Sequence, residues 1–230
     1  MGTFEGEGGR KQDKGCRGWS GTRRGRTWEV GDEMGEVAAE LGERMRWRHN
    51  NAWVQAGATL GELYYSIAEK SHVHGFPSGQ GRTIGVGGHF SVAGFGPMLR
   101  KYGTAADQII DARLVNANGE VLNREAMGED LFWAIRRGGA SSFGVVLAWK
   151  INLVAVPPIV TVASLDKAYE QGATELVHKW QTVASRQVPR ELYIELIVGV
   201  SNNTNRLAGR RAIELKFKVM FLGPSKKLMQ

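Results

Sequence analysis

The chain has 230 residues, of which 42% are hydrophobic, enough for one large domain or two small ones with a packed core. Its net charge is +7, but the basic residues are scattered, which favours a basic soluble protein over a dedicated nucleic-acid binder. No run of eighteen apolar residues is present, so we expect no membrane-spanning helix. The single cysteine, Cys16, excludes a disulfide within the chain. The first twenty residues contain no apolar core of a signal peptide, which leaves the location open.

Residues 1–48 differ in composition from the rest of the chain. They hold eleven glycines, ten basic residues and nine acidic residues, and their sparse apolar residues show no sustained period. Such a segment cannot bury enough apolar surface to offset the entropy lost on ordering, so we expect disorder, with at most a weak helix from Glu29 to Arg46. An alternative is a basic arm that binds nucleic acid, although the acidic residues oppose this interpretation. The residues for such an arm are Trp19, Arg23, Arg24, Arg26 and Trp28.

A first ordered domain is predicted over residues 49–156. Thr59 is expected to cap its first helix, because Glu62 completes a Thr-x-x-Glu capping box. One face of that helix is apolar and comprises Leu60, Leu63, Tyr64 and Ile67. Asn118-Gly119 predicts a type I′ hairpin between two later strands. The other predicted elements are strands Trp53–Gly57, Ile109–Asn116, Glu120–Leu122 and Gly144–Leu153, the helical turn Met98–Tyr102 and the helix Gly128–Arg137.

Pro157-Pro158 marks the start of a second domain, residues 157–230. Its predicted helix has Trp180 and Val183 on the apolar face, while Glu175 and Lys179 form an i, i+4 pair on the wet face. We expect Trp180 to be buried, and likewise Trp149 in the last strand of the first domain, where Val145 shares its face. The predicted elements are Thr161–Ser164, Ala173–Ala184, Leu192–Val200, Ala212–Phe221 and a helix that starts at Ser225.

A glycine-rich run needs a physical reason of its own. Eight glycines lie between Gly75 and Gly96. Because glycine weakens helices and strands, this density indicates tight turns or close approach of the backbone to a ligand. The run is neither a Walker A loop nor a dinucleotide-binding fingerprint, since neither spacing fits. The N–H groups of Gly85, Gly87 and Gly88 are candidates for a nest that binds anionic oxygens.

Four motifs occur in a characteristic order within and after this run. They are TIGVGGH from Thr83 to His89, RKYG from Arg100 to Gly103, DLFWAIR from Asp130 to Arg136 and SFGVV from Ser142 to Val146. In this order they resemble the plant berberine bridge enzyme-like flavoproteins, which have the wider vanillyl-alcohol-oxidase type of FAD-binding fold. The resemblance covers the chain from about Ala52 to about Leu222.

The resemblance implies an α+β fold, in which a partial PCMH-type FAD-binding domain is followed by the first half of an antiparallel-sheet substrate domain. It implies an oxidoreductase that oxidises an alcohol or amine by hydride transfer to FAD and passes electrons to oxygen or another acceptor. The implied partner is a small-molecule substrate, and relatives are usually secretory. Two alternatives stay open. One is a non-catalytic remnant or binding module that keeps part of the fold, and the other is nucleic-acid binding through residues 1–48.

The same resemblance implies where FAD is held. The segment from Gly79 to Gly96 would line the flavin, and two further stretches would lie near the adenosine half. The candidate cofactor-binding residues are Thr83, Gly85, Val86, Gly87, Gly88, His89, Asp107, Gly144, Val145 and Val146.

The sequence also departs from the family pattern. Many relatives carry a flavin-linking cysteine where this chain has Gly81, and no second, histidine-bearing linker loop is found. We therefore expect any FAD to be bound non-covalently. Val92-Ala93 stands where relatives have glycines, so a positive φ is harder to adopt there. For His89 we expect a structural role.

Other polar clusters carry no assigned chemistry. His72 and His74 lack further ligands, so no metal site is predicted. Glu191, Tyr193 and Glu195 alternate on one predicted strand, but the family's base usually lies on later strands, and no catalytic residue is assigned.

Overall fold

The structure is a computed structural model, which describes residues 22–23, 26–27, 45–168, 171–186, 188–200 and 213–229. The chain divides into two compact units, residues 1–40 and 41–230. In the first unit, β1 (Thr22–Arg23) and β2 (Arg26–Thr27) form a short antiparallel hairpin. Most of the segment predicted to be disordered, including Trp19, Arg24 and Trp28, lies outside the described residues.

In the second unit, regular secondary structure begins earlier in the chain than predicted. Residues Met45–Arg48 form β3, which pairs with β4 (Asn51–Gln55). Met45 is buried and Trp47 packs against the same core. The weak helix expected from Glu29 to Arg46 is therefore wrong at its last two residues, because Met45 and Trp47 alternate toward the core as strand residues do.

A five-stranded antiparallel sheet is the centre of this unit, with strand order β3-β4-β8-β6-β7. Its remaining strands are β6 (Ile109–Val115), β7 (Val121–Leu122) and β8 (Val145–Asn152). A separate two-stranded ribbon pairs β5 (His74–Gly75) with β9 (Val154–Ala155). The strands predicted in this region are confirmed with small shifts at their ends.

The hairpin between β6 and β7 has a different turn from the predicted type I′. Gly119 has a positive φ of 83°, but Asn118 does not, whereas type I′ needs both. The N–H of Gly119 donates to the carbonyl of Asn116, and the Asn116 side chain accepts from Glu120 N–H. These bonds close a three-residue loop, in which a turn from Asn116 to Gly119 ends on one left-handed glycine.

Four α-helices lie in the part of this unit that contains the sheet, and all but the shortest bury side chains in the same core. The first is α1 (Leu60–Lys70), whose predicted capping box between Thr59 and Glu62 is confirmed. Next come the short α2 (Val86–Ser91) and α3 (Leu99–Tyr102), and then α4 (Arg124–Arg137). The α4 segment starts before the predicted Gly128, which interrupts it with φ 69°. Side chains buried in this core include Leu60, Phe76, Phe90, Phe132 and Trp149.

One prediction about β8 is wrong. Trp149 is fully buried as expected, but the side chain of Val145 is 64% exposed. The register of β6 against β8 shifts between Arg113 and Leu114. This bulge changes which side chains of β8 face the core, so Val146 packs against it and Val145 does not.

A second, three-stranded antiparallel sheet has the order β10-β12-β11. Its strands are β10 (Thr161–Ala168), β11 (Leu192–Val200) and β12 (Ile213–Phe221). Helix α5 (Ala173–Arg186) packs on one face of this sheet, and α6 (Ser225–Leu228) follows β12. The predicted Glu175–Lys179 pair forms at 2.9 Å. Trp180 is half-buried rather than buried, and Val183 is exposed. The α+β class predicted for the chain is confirmed.

Candidate functional site

The strand register brings distant parts of the chain to one edge of the five-stranded sheet. Val115, the last residue of β6, lies opposite Val145, the first residue of β8. Beside them, β4 ends at Gln55, and the next N–H, that of Ala56, donates to the carbonyl of Leu147 at 2.9 Å. The loop after β4 and the start of β8 therefore form one surface.

The glycine-rich run is attached to this edge through its main chain. The N–H of Val86 donates to the Ala58 carbonyl at 2.8 Å, and the N–H of Gly87 donates to the Ala56 carbonyl at 3.1 Å. The structure thus brings Gly85, Val86 and Gly87 to the same edge as the start of β8.

The three glycines predicted to form a nest have different roles. A Cβ on Gly87 would lie 2.9 Å from the Ala56 carbonyl oxygen, so this glycine allows close packing, and its N–H is already bonded. A Cβ on Gly85 or Gly88 would meet nothing within 4 Å, and both residues are exposed. Within the described part of the chain, their N–H groups donate no main-chain hydrogen bond. Open backbone for a ligand is therefore offered by Gly85 and Gly88 and not by Gly87.

Thr83 and Val86 lie on either side of this open backbone. Thr83 is exposed in the turn before α2. The side chain of Val86 is fully buried in the core, and its N–H is bonded to Ala58. Val86 therefore anchors the glycine run to the core, and its buried side chain is not accessible to a ligand.

His89 holds the glycine run together. Its Nε2 accepts a hydrogen bond from the Gly79 N–H at 3.1 Å. A Cβ on Gly79 or Gly94 would lie 3.0 or 2.9 Å from the imidazole, so both glycines make room for it. Partial burial lowers the pKa of His89, which favours the neutral form that can accept this bond. The structural role predicted for His89 agrees with these contacts.

The departure at Ala93 is visible as backbone strain. Ala93 has φ 71°, in the left-handed region that glycine adopts without a Cβ penalty. Its N–H donates to the Arg136 carbonyl, and its carbonyl accepts from Ala106 N–H. These contacts hold the residue in place despite its side chain.

Asp107 lies away from the edge that the other candidates share. It precedes β6, a strand of seven residues that is about 20 Å long, whereas Val115 ends that strand at the edge. Its carboxylate completes a capping box with Thr104 and pairs with Arg137 at 2.8 Å. Partial burial opposes ionisation, but these hydrogen bonds and the arginine charge lower the pKa of Asp107. The arrangement gives Asp107 a structural task.

Gly144 fixes the start of β8. It has φ 158°, and a Cβ there would lie 2.3 Å from the carbonyl oxygen of Val115. Any other residue would push the two strands apart. Val145 next to it is exposed and open to a ligand, as are Ser142 and Phe143 of the same motif.

At Gly81, where many relatives carry the flavin-linking cysteine, a side chain would require Ile84 to move. A Cβ on Gly81 would lie 2.5 Å from Cδ1 of Ile84. The side chain of Ile84 thus occupies the volume that a cysteine at position 81 would use.

A cavity of about 560 Å³ lies between α1, the loop that follows β5 and the end of β12, and the sequence did not predict it. Gly79, Gln80 and Met98 line one part of it, and Met220 near the end of β12 lines another. Tyr64, assigned from sequence to the apolar face of α1, also lines the cavity. Its hydroxyl donates to the Gly79 carbonyl at 2.6 Å, and burial raises its pKa to about 12.

Two polar features of the cavity bear on its ligand. The Ser78 side chain is buried in the cavity wall, and its hydroxyl lies beside the Tyr64 phenol. His72 and His74 also line the cavity, but no group of three metal-binding side chains occurs in the described residues. The cavity therefore has a mostly apolar lining with a few polar groups, which is typical of a site for a small organic molecule.

Comparisons with known proteins agree with the motifs. A family model for an FAD binding domain matches residues 40–124. Tetrahydroberberine oxidase from Berberis wilsoniae is 55% identical over 183 residues, which are 79% of this chain and 34% of that protein. Monolignol oxidoreductase AtBBE-like 13 from Arabidopsis thaliana is 49% identical, again over 79% of this chain and 34% of the relative.

A solved structure shows the same fold. BBE-like #28 from Arabidopsis thaliana superposes with a TM-score of 0.72 at 47% identity, over 78% of this chain and 35% of the other. The chain thus spans about a third of the length of the proteins that it matches. Among the described residues, none of the helices combines the length and apolar composition that crossing a membrane requires.

Proposed function

The chain belongs to the berberine bridge enzyme-like FAD-linked oxidoreductases, with a PCMH-type FAD-binding fold over the part that it shares with them, and we propose that it carries part of the flavin site of such an oxidoreductase. The observation that supports this best is the open backbone of Gly85 and Gly88 at the sheet edge, beside the start of β8. A dinucleotide needs such close main-chain approach for its anionic oxygens.

The residues present fit FAD at this edge. Gly85 and Gly88 would hold it through their N–H groups, Thr83 would offer a hydroxyl, and Val145 would offer an apolar contact. When bound, FAD would accept a hydride from the substrate, while the protein supplies position and electrostatics. Gly81 has no thiol and Ile84 fills the adjacent space, so FAD would be held non-covalently.

The substrate would be a small molecule, as for the relatives. One relative is named for tetrahydroberberine and another for monolignols, and we infer an alcohol or amine with an apolar body for this chain. The cavity of about 560 Å³ suits such a molecule, and one of its walls, Gly79-Gln80, is continuous with the glycine run. Oxygen or another acceptor would then take the electrons.

Titration with FAD tests the flavin site. Flavin fluorescence should be quenched by the wild-type chain, and Gly88→Val should weaken binding about tenfold or more, because the new side chain occupies the open space over the backbone. Gly199→Val is the matched control, since Gly199 is an exposed residue of β11 with no neighbour closer than 4.0 Å. Equal affinity of Gly88→Val and wild type would refute this site, and a wild-type chain that binds no FAD would refute the function.

The second candidate is a non-catalytic remnant or binding module that keeps part of the fold and can still bind FAD. It is favoured by the side chain of Ile84, which fills the space beside Gly81, and by the strained Ala93. Reduction of bound FAD under anaerobic conditions by an added alcohol or amine would identify the enzyme. Flavin that binds and stays oxidised with every compound of both classes would identify the binding module.

A further inference from the structure

One face of the three-stranded sheet points away from α5. The register places Tyr193 opposite Met220 and Glu195 opposite Lys218, so these four side chains share a face. Ile194, on the alternate face, packs with the α5 side. Met220 also lines the cavity described above. Glu195 does not line the cavity itself, and it lies on the same sheet face as Met220, in the next cross-strand pair of that face.

Two acidic residues in or next to this sheet form ion pairs, whereas Glu195 forms none among the described residues although Lys218 lies opposite it. Asp166 lies 3.6 Å from the Lys216 ammonium, and Glu191 lies 3.2 Å from that of Lys101. Glu195 has no such ion pair among the described residues, and its Oε2 is shielded from solvent without a hydrogen-bond donor. A shielded carboxylate oxygen without a partner is costly, and a cation with an N–H donor would relieve that cost.

Two side chains beside Glu195, those of Tyr193 and Lys218, affect which group can pair with its carboxylate. Burial, and then the charge of Glu195, raise the pKa of Tyr193, which keeps the phenol neutral beside the carboxylate. Lys218 is exposed, and pairing an exposed lysine gains little because its side-chain entropy and its hydration must be given up. A cation presented from the cavity side would meet the carboxylate without the cost of ordering a lysine side chain.

We propose that Glu195 determines substrate specificity in this chain by binding a protonated amine, while the apolar body of the same small molecule occupies the cavity beside Met220. This deepens the proposed function and rests on it for the identity of the ligand as substrate. It selects amines over neutral alcohols of the same shape, because a charge-assisted hydrogen bond to a carboxylate is stronger than a neutral one.

The test compares two probes of nearly equal shape on the full chain, benzylammonium and benzyl alcohol, by ligand-observed NMR titration. Wild type should bind benzylammonium about tenfold more tightly than benzyl alcohol. Glu195→Gln should abolish this preference and leave benzyl alcohol binding unchanged. Asp166→Asn is the control, because it removes an exposed carboxylate on the same face that already has a lysine, and it should keep the preference.

Three outcomes would overturn the proposal. They are equal binding of both probes to wild type, no binding of either, and a preference that survives in Glu195→Gln. In addition, a rise of about tenfold in benzylammonium affinity in Lys218→Met would show that Lys218 is the partner of this carboxylate. FAD affinity is measured on the same samples. An amine preference without FAD binding would refute the flavin function alone, and FAD binding without the preference would refute the role of Glu195 alone.

Discussion

The main-chain N–H of Gly79 donates a hydrogen bond to Nε2 of His89, ten residues further along the glycine run. The bond requires an unprotonated Nε2, and partial burial lowers the pKa of His89 in the same sense. Since the folded-state pKa lies below the unfolded one, the unfolded chain binds the proton first. The stability from this contact is therefore complete above the unfolded pKa and is lost as pH falls through the folded pKa.

This relationship predicts a pH-dependent stability. Between about pH 8 and pH 5 the urea midpoint of the wild-type chain should fall, and in His89→Gln the part of this fall that is due to His89 should be absent. Gln keeps an acceptor near Gly79 but does not titrate. His178, an exposed histidine of α5, serves as the control, and His178→Gln should follow the wild-type curve. Parallel curves for wild type and His89→Gln would contradict the assignment.

Ala93→Gly should stabilise the protein. Ala93 has φ 71°, and relieving a left-handed non-glycine residue is worth about 1 kcal/mol. The control is Ala126→Gly in the first turn of α4, an exposed alanine without a positive φ, where glycine should lower the stability by up to about 1 kcal/mol. Urea denaturation of both variants gives the comparison. A loss of stability in Ala93→Gly similar to that in Ala126→Gly would show that the strain is absent.

Gly144→Ala should destabilise the chain by about 1–3 kcal/mol, because its Cβ would lie 2.3 Å from the Val115 carbonyl oxygen and force the strands apart. Gly57→Ala, where the added Cβ meets nothing within 4 Å, should change the unfolding free energy little. Thermal unfolding followed by circular dichroism would measure both. Equal melting temperatures for the two variants would mean that the close approach at Gly144 is not required.

The two tryptophans that were expected to be buried should differ in how much stability is lost when each is replaced by alanine. Trp149 is fully buried between helices and sheet, so Trp149→Ala should cost about 3–5 kcal/mol. Trp180 is half-buried at the edge of the smaller core, and Trp180→Ala should cost clearly less. Denaturant midpoints of the two variants decide this, and a larger loss in Trp180→Ala would reverse the assignment of the main core.

Local signals in the sequence predicted the elements well, and long-range contacts account for the errors. The Thr59–Glu62 capping box and the Glu175–Lys179 pair depend on residues a few positions apart, and both are confirmed. The exposure of Val145 follows from a bulge set by the pairing of β6 with β8, which no local pattern contains.

The same distinction holds at the site. The density of glycine indicated a special backbone, but three glycines of one motif have different tasks. Gly87 is set apart from Gly85 and Gly88 by its contact with Ala56, more than thirty residues earlier in the chain. The orphan oxygen of Glu195 depends in the same way on tertiary packing.

The last prediction concerns how FAD is attached. Gly81 offers no thiol, and Ile84 Cδ1 lies 2.5 Å from where a Cβ would stand, so FAD should leave the protein on denaturation. Protein incubated with FAD is precipitated with acid, and flavin fluorescence is measured in the pellet and in the supernatant. We expect all flavin in the supernatant. In the glycine run, Gly85 and Gly88 present open N–H groups at the edge, and each hydrogen bond to a charged group contributes about 1.5–3 kcal/mol. Every donor that is missing weakens binding by roughly tenfold or more, so we expect an affinity in the micromolar range. Yellow flavin that stays in the pellet would mean a covalent bond and would contradict this account of Gly81.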